Sequence, residues 1–334
     1  MTRHFLPLHG LPTLALTLSL LAPTLALAGQ EGATQDAPAL KGESCSVQGL
    51  MDQIRRGLGS KSEAYKLYLR TLLRESAVTL PLSELQAAFE REYDPAMAEH
   101  LAAALVARTE RGLEPEAMEL VAQRALGDRD PSIRAATVRA LRRTGALERT
   151  GDMYERLIRD PSPEVRQEAA TNLVEDNIEV YGGRDARAAD TAVTVAAAST
   201  DPKLTAQILG NIMTGEVSAG SARKLEQLLG NDSAEVRAAA STALGGVPAA
   251  EMGSAREALV GMYRGEKDPT VRKAIIQSIA RLGFSGAVPE LQRLRGVDPS
   301  LAPEIDTWIR VLNMDLQEWS LILGAKQRLQ QQAR

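Results

Sequence analysis

Cysteine is almost missing from this chain: Cys45 alone is present, so no intramolecular disulfide can form. Histidine is nearly as scarce. His4 and His9 fall in the first ten residues and His100 is the third. One Cys and one His past that point exclude Cys/His zinc sites and almost every His-based triad. Aromatic residues make up 3% of the chain. Carboxylate pairs hydrolyse glycosides, but sugar-processing clefts generally add aromatic platforms, which this composition does not supply. There is no basic excess either, with 39 Lys and Arg against 43 Asp and Glu. A nucleic-acid binder usually carries a basic stripe, so nucleic acid is excluded as the expected partner. No strand pattern and no phosphate-cradling Gly loop occur. We assign no catalytic residue, metal ligand or cofactor from the sequence.

Long apolar runs are confined to the start. Arg3 and His4 precede the apolar stretch Leu11–Ala22, and Ala26-Leu27-Ala28 gives a small-x-small pattern before Gly29. Residues 1–28 therefore read as a secretory signal peptide cleaved after Ala28. Pro12 and Pro23 and the short core argue against a spanning helix. The mature chain, at 38 basic and 43 acidic residues, carries about −5 and no membrane span. The expected location is periplasmic or secreted, and the Ala- and Arg-rich composition suggests a bacterial source. Residues 29–44, rich in Gly, Gln, Ala and acids, read as a flexible lead-in. Cys45 reads as a partly buried thiol opening the first helix or, in an oxidising compartment, as half of an intermolecular disulfide.

What the chain does have is repetition. An Asp-Pro-type turn, an apolar residue and often Arg recur at Asp94-Pro95-Ala96-Met97, Asp130-Pro131-Ser132-Ile133-Arg134 and Asp160-Pro161-Ser162-Pro163-Glu164-Val165-Arg166. The frame continues at Asp201-Pro202-Lys203-Leu204, Asn231-Asp232-Ser233-Ala234-Glu235-Val236-Arg237, Asp268-Pro269-Thr270-Val271-Arg272 and Asp298-Pro299-Ser300-Leu301. The first apolar residues lie 36, 32, 39, 32, 35 and 30 apart, averaging 34. Apolar residues follow four and eight positions on, as in Leu101 and Leu105, or Ala240 and Leu244. That spacing marks one face of a helix. Asp suits the N-cap and Pro the first helical position, where no N–H is needed. A second amphipathic segment precedes each such helix: Pro81–Glu92, Glu114–Leu126, Thr150–Arg159, Asp185–Ser199, Val217–Leu229, Met252–Tyr263 and Ala287–Leu294.

On these turns, and on endings such as Arg237-Ala238-Ala239-Ala240-Ser241-Thr242-Ala243-Leu244-Gly245, residues 80–314 resemble the HEAT-repeat family. The resemblance implies an all-α fold, a right-handed α-solenoid of about seven HEAT-like helix pairs. It also implies an inter-repeat ladder of Asp130, Asp160 and Asp268 with Arg134, Arg166, Arg237 and Arg272. Ala98, Thr205 and Ala302 replace the Arg in the first, fourth and seventh copies, where the ladder should be interrupted. Residues 45–79 read as N-terminal capping helices and 315–334 as a C-terminal capping helix and tail, with Trp308 and Trp319 packing that end.

The 39-residue step contains Asp176-Asn177-Ile178-Glu179-Val180-Tyr181-Gly182-Gly183-Arg184, whose glycines should end the helix. Insertions in solenoids become loops and often carry contacts. Tyr181, expected to be exposed, and Arg184 are therefore candidate partner-binding residues, against the plainer reading of a tolerated insertion. On the inner face, small neutral side chains prevail in the middle, and Arg139 and Arg142 form its one basic pair. This pair is the other candidate binding element, with Arg139 expected to be exposed and dispensable for stability. The expected function is a noncatalytic exported scaffold or adaptor binding a protein or peptide partner. The alternative is an accessory or catalytic protein acting on a cofactor or polysaccharide.

Overall fold

Carboxylates set the helix starts. Asp94, Asp130, Asp201 and Asp268 stand in extended backbone and accept the N–H of Met97 (2.9 Å), Ser132 (2.8 Å), Lys203 (3.0 Å) and Thr270 (2.8 Å). Each is followed by Pro at the first helical position, which lacks the donor that would otherwise go unpaired. The computed structural model describes residues 47–314 apart from Ser60, Lys61 and Ala146. The signal peptide, the lead-in, Cys45, Trp319 and the C-terminal capping helix lie outside these described residues.

Among the described residues every regular element is helical. The helices opened by the recurring turn are α4 (Pro95–Glu110), α6 (Pro131–Ala140), α8 (Pro163–Glu175), α10 (Pro202–Asn211), α12 (Ala234–Leu244), α14 (Pro269–Gly283) and α16 (Ala302–Leu312). Alternating with them are α3 (Leu82–Glu90), α5 (Glu116–Gly127), α7 (Leu147–Leu157), α9 (Ala186–Ala198), α11 (Ala219–Leu228), α13 (Met252–Tyr263) and α15 (Val288–Val297). Within each copy the two helices pack together. Across copies α4 packs on α6, α6 on α8 and so on to α16, while α3, α5, α7, α9, α11 and α13 form the second row. The result is an α-solenoid.

The core follows the four-residue spacing. Met97, Ile133, Val165, Val236 and Val271 are buried, as are Leu101, Ile208, Ile275 and Ile305 one turn later. Leu141 and Leu244 are fully buried, whereas Ile212 and Ile309 are half-buried. Where two helices come closest, size is restricted. A side chain starting at Gly245 would lie 2.7 Å from Ser278 Oγ, so α12 and α14 meet there only because Gly has none.

Two departures from the repeat appear. The helices α1 (Val47–Leu58) and α2 (Glu63–Ser76) stack in the same manner as the later pairs, α1 on α3 and α2 on α4. Their sequence lacks the Asp-Pro turn, and Ser62 caps α2 instead by accepting from Tyr65 N–H (3.3 Å). In the last copy Pro299–Leu301 forms a 3₁₀ turn before α16, with Asp298 accepting from Ser300 N–H (3.2 Å).

Candidate functional site

In the first six copies a side chain two residues ahead of the cap accepts the cap residue's own N–H. Glu92 serves Asp94 (2.9 Å), Asp128 serves Asp130 (2.9 Å) and Asp160 serves Ser162 (2.8 Å). Ser199 serves Asp201 (3.1 Å), Asn231 serves Ser233 (2.9 Å) and Glu266 serves Asp268 (2.8 Å). This column, which coincides with the Asp of the Asp-Pro turn only at Asp160, receives Arg134 and Arg237. Arg134 grips Asp160 of the next copy with two bonds (2.8 and 2.7 Å), and Arg237 grips Glu266 likewise (2.7 and 3.0 Å). Each arginine also donates to its own turn, Arg134 to Asp128 O (2.8 Å) and Arg237 to Asn231 O (3.0 Å). Arg272 pairs with Asp298 (2.6 Å) and lies over the Tyr263 ring. Arg166 reaches Asp201 at 4.0 Å, since Ser199 offers it no charge.

Asp130 and Asp268 thus stand elsewhere than the resemblance implied. Their carboxylates turn back to their own helices, Asp130 to Ser132 and Asp268 to Thr270 and Val271, because the N-cap position aims the side chain at the first free N–H groups. Glu266 takes the place expected of Asp268. Burial pushes the Asp160 carboxyl up, but Arg134 outweighs it and holds it below its usual range. Arg237 draws Glu266 down to about 2. The interruptions also leave charges matched: Thr205 is followed in the next copy by the neutral Asn231, and Asp128 is met by Arg124 of its own copy (2.9 Å) in place of the missing arginine at Ala98.

Arg139 and Arg142 are not free on the inner face. Arg139 donates to Glu99 (3.1 Å) on α4 and to Glu168 (2.9 Å) on α8, with Glu164 at 3.5 Å. Arg142 bonds the other oxygen of Glu168 and donates to Asn172 Oδ1 (3.1 Å). The Arg139 side chain is 28% exposed, so the expectation of an exposed residue is corrected. Nothing in a short motif reveals this; Glu168 lies 29 residues beyond Arg139, in the next copy.

The long step between the third and fourth copies is built as a joint. Past α8 the helix widens into a π turn, Asp176–Val180, and ends at Gly182 (φ 58) and Gly183 (φ 67). Asn177 is buried and its amide clamps a neighbouring backbone, accepting from Met213 N–H (2.8 Å) and donating to Met213 O (3.3 Å). Only Gly fits beneath Met213, whose Sδ would lie 2.3 Å from a side chain at Gly183. Tyr181 is half-buried against the core and donates to Gly145 O (3.0 Å), so it is not the exposed ring expected; Arg184 is exposed. The residues presented outward are Ile178 (38% exposed), Val180 (39%) and Met213 (50%).

Asp176 beside them is fully buried. One carboxylate oxygen accepts from Arg143 N–H (2.8 Å), where Arg143 adopts φ 59, and the other has no partner among the described residues. Burial, with the nearby Glu175 charge, pushes its pKa up to about 7. His100 is buried in α4, held below its ordinary pKa first by burial and then by Arg70. Trp308 packs half-buried on the core and donates to Glu304 (3.1 Å). No three His, Cys, Asp or Glu converge as metal ligands among the described residues, and no helix there is long and apolar enough to cross a membrane.

Residues 222–302 match the family model for HEAT repeats. A comparison with curated protein sequences finds no match. Among solved structures, YibA of Escherichia coli is similar at 14% identity over 78% of this chain and 92% of that one, with a TM-score of 0.45. Human deoxyhypusine hydroxylase in complex with glycerol is similar at 17% identity over 80% of this chain and 96% of that one, TM-score 0.28. An engineered protein is similar at 18% identity over 79% and 96%, TM-score 0.29.

Proposed function

We propose, for a chain whose residues 222–302 are HEAT repeats, a noncatalytic role as an exported, periplasmic scaffold that holds a protein or peptide partner. The observation that carries this reading is the joint between the third and fourth copies. Its backbone is clamped through Asn177 and Met213, and it turns Ile178, Val180 and Met213 outward. Apolar side chains on a preorganised edge bind at low ordering cost. Arg139 and Arg142, by contrast, are already neutralised by Glu99 and Glu168 and would have to break those bonds to serve a partner. Arg184 at the rim supplies charge for orientation rather than most of the affinity.

The test is affinity capture from an envelope extract with the full mature chain. Wild type should enrich one protein stoichiometrically. Val180→Asp/Met213→Asp should lose it, and Arg139→Ala/Arg142→Ala should keep it at matched stability. Retention by the first variant and loss by the second would move the contact to the inner face. A small-molecule chromophore or glycan co-purifying in place of a protein would overturn the scaffold reading.

A further inference from the structure

On the other row of helices, α13 and α15 stand on either side of a cleft of about 500 Å³. Gly261 and Gly286 border open space, since a side chain begun at either would meet nothing within 4 Å. Arg256, Val260 and Arg264 follow one another at four-residue steps along the α13 wall, and Arg293 faces them from α15. Arg293 is neutralised by Glu290 (2.6 Å). Arg256 and Arg264 are exposed and have no ion pair or hydrogen bond among the described residues, with Glu257 the remaining acid on the wall. In a chain of net charge −4 this is a local concentration of guanidinium groups.

The spacing says which anion fits. Arg256 and Arg264 are two turns apart, about 12 Å along the axis, a distance that suits two carboxylates on one chain better than a single small ion. Four residues of extended peptide cover about 13 Å. Val260 lies between the two arginines and offers an apolar contact to the intervening side chain. We propose that the α13–α15 cleft takes an acidic peptide segment, with Arg256 and Arg264 each receiving one of its carboxylates. This rests on the scaffold reading and adds the chemical class of a second partner segment, bound on a face remote in sequence from the Val180–Met213 edge.

The experiment uses the full mature chain and a fluorescent octapeptide, Ser-Glu-Ser-Val-Ser-Glu-Ser-Gly, whose two Glu and central Val share one face when extended, read by anisotropy at low salt. Arg256→Gln/Arg264→Gln should bind about tenfold more weakly, whereas Arg223→Gln, which removes an exposed arginine of α11 unpaired among the described residues, should bind as wild type does. Superimposable thermal melts would show that the fold is unaltered. Unchanged affinity in the double variant, or an equal loss in Arg223→Gln, would overturn the assignment. So would inorganic phosphate displacing the peptide at equal concentration, the mark of a small-anion site. Because the readout uses a defined peptide, its failure is separable from failure of the partner capture, which depends on Val180 and Met213.

Discussion

At the scale of the residue, Asp176 is a buried carboxyl with one oxygen unpartnered among the described residues. It faces Arg142 and Arg143 from the turn after α6, Tyr154 from α7 and Glu175 on its own helix, yet burial dominates. Its pKa is about 7 in the folded chain against 3.8 for an ordinary aspartate. A carboxyl raised on folding binds its proton more tightly in the folded state. The stability it contributes is present at low pH and is lost as pH rises between those two values. We therefore expect Asp176→Asn to be more stable than wild type at pH 8, by about 1–2 kcal/mol after allowing for the unpaired amide it leaves. The advantage should vanish near pH 5. Urea denaturation at the two pH values checks it, and a pH-independent difference would contradict the assignment.

At the scale of the element, the inter-copy bonds fall into two sets. The first joins Arg134, Arg237 and Arg272 to the acid ahead of the next cap; the second joins α4, α6 and α8 through Arg139, Arg142 and Glu168. Because Arg139 is largely shielded and bonds two helices beyond its own, Arg139→Ala should cost about 1–2 kcal/mol. A double-mutant cycle with Glu168→Gln should show coupling of about 1 kcal/mol. A loss within about 0.5 kcal/mol in chemical denaturation would return Arg139 to the class of exposed, independent residues.

Much of this scale was legible in the sequence. The spans for α13 and, within a residue or two, α9 and α11 follow from amphipathic period and turn chemistry, which act locally. The ladder was half legible. Its arginines stand out at a constant offset, and Asp160 takes Arg134 as implied, but Glu266 stands where Asp268 was expected and Asp298, which takes Arg272, was not named. The usable signal was the residue two ahead of the cap: Glu92, Asp128, Asp160 and Glu266, turning neutral at Ser199 and Asn231. Tyr181 and Arg139 were misjudged for a common reason. Their partners, Gly145 O and Glu168, belong to other copies, and no local pattern shows which side chain a neighbouring copy will supply.

At the scale of the whole molecule, one continuous core links the copies, so a charge in it should act beyond its own helix. Leu141→Asp and Leu244→Asp should each destabilise by several kcal/mol, since an unpaired carboxylate enters a fully buried position. Thermal melting with circular dichroism measures this, and a melting point unchanged by either variant would contradict the packing described. Packing that runs from each copy to the next also sets an order in time. With few partners far along the chain, contact order is low and assembly can keep pace with synthesis. Most of the array can seat as it emerges, each pair using the one before it as a template. The joint is where that schedule pauses: Asn177 is made long before its clamp can close, because Met213 follows 36 residues later. Until then the amide has no permanent partner, and the first three copies wait, unfinished at their growing end, for the fourth.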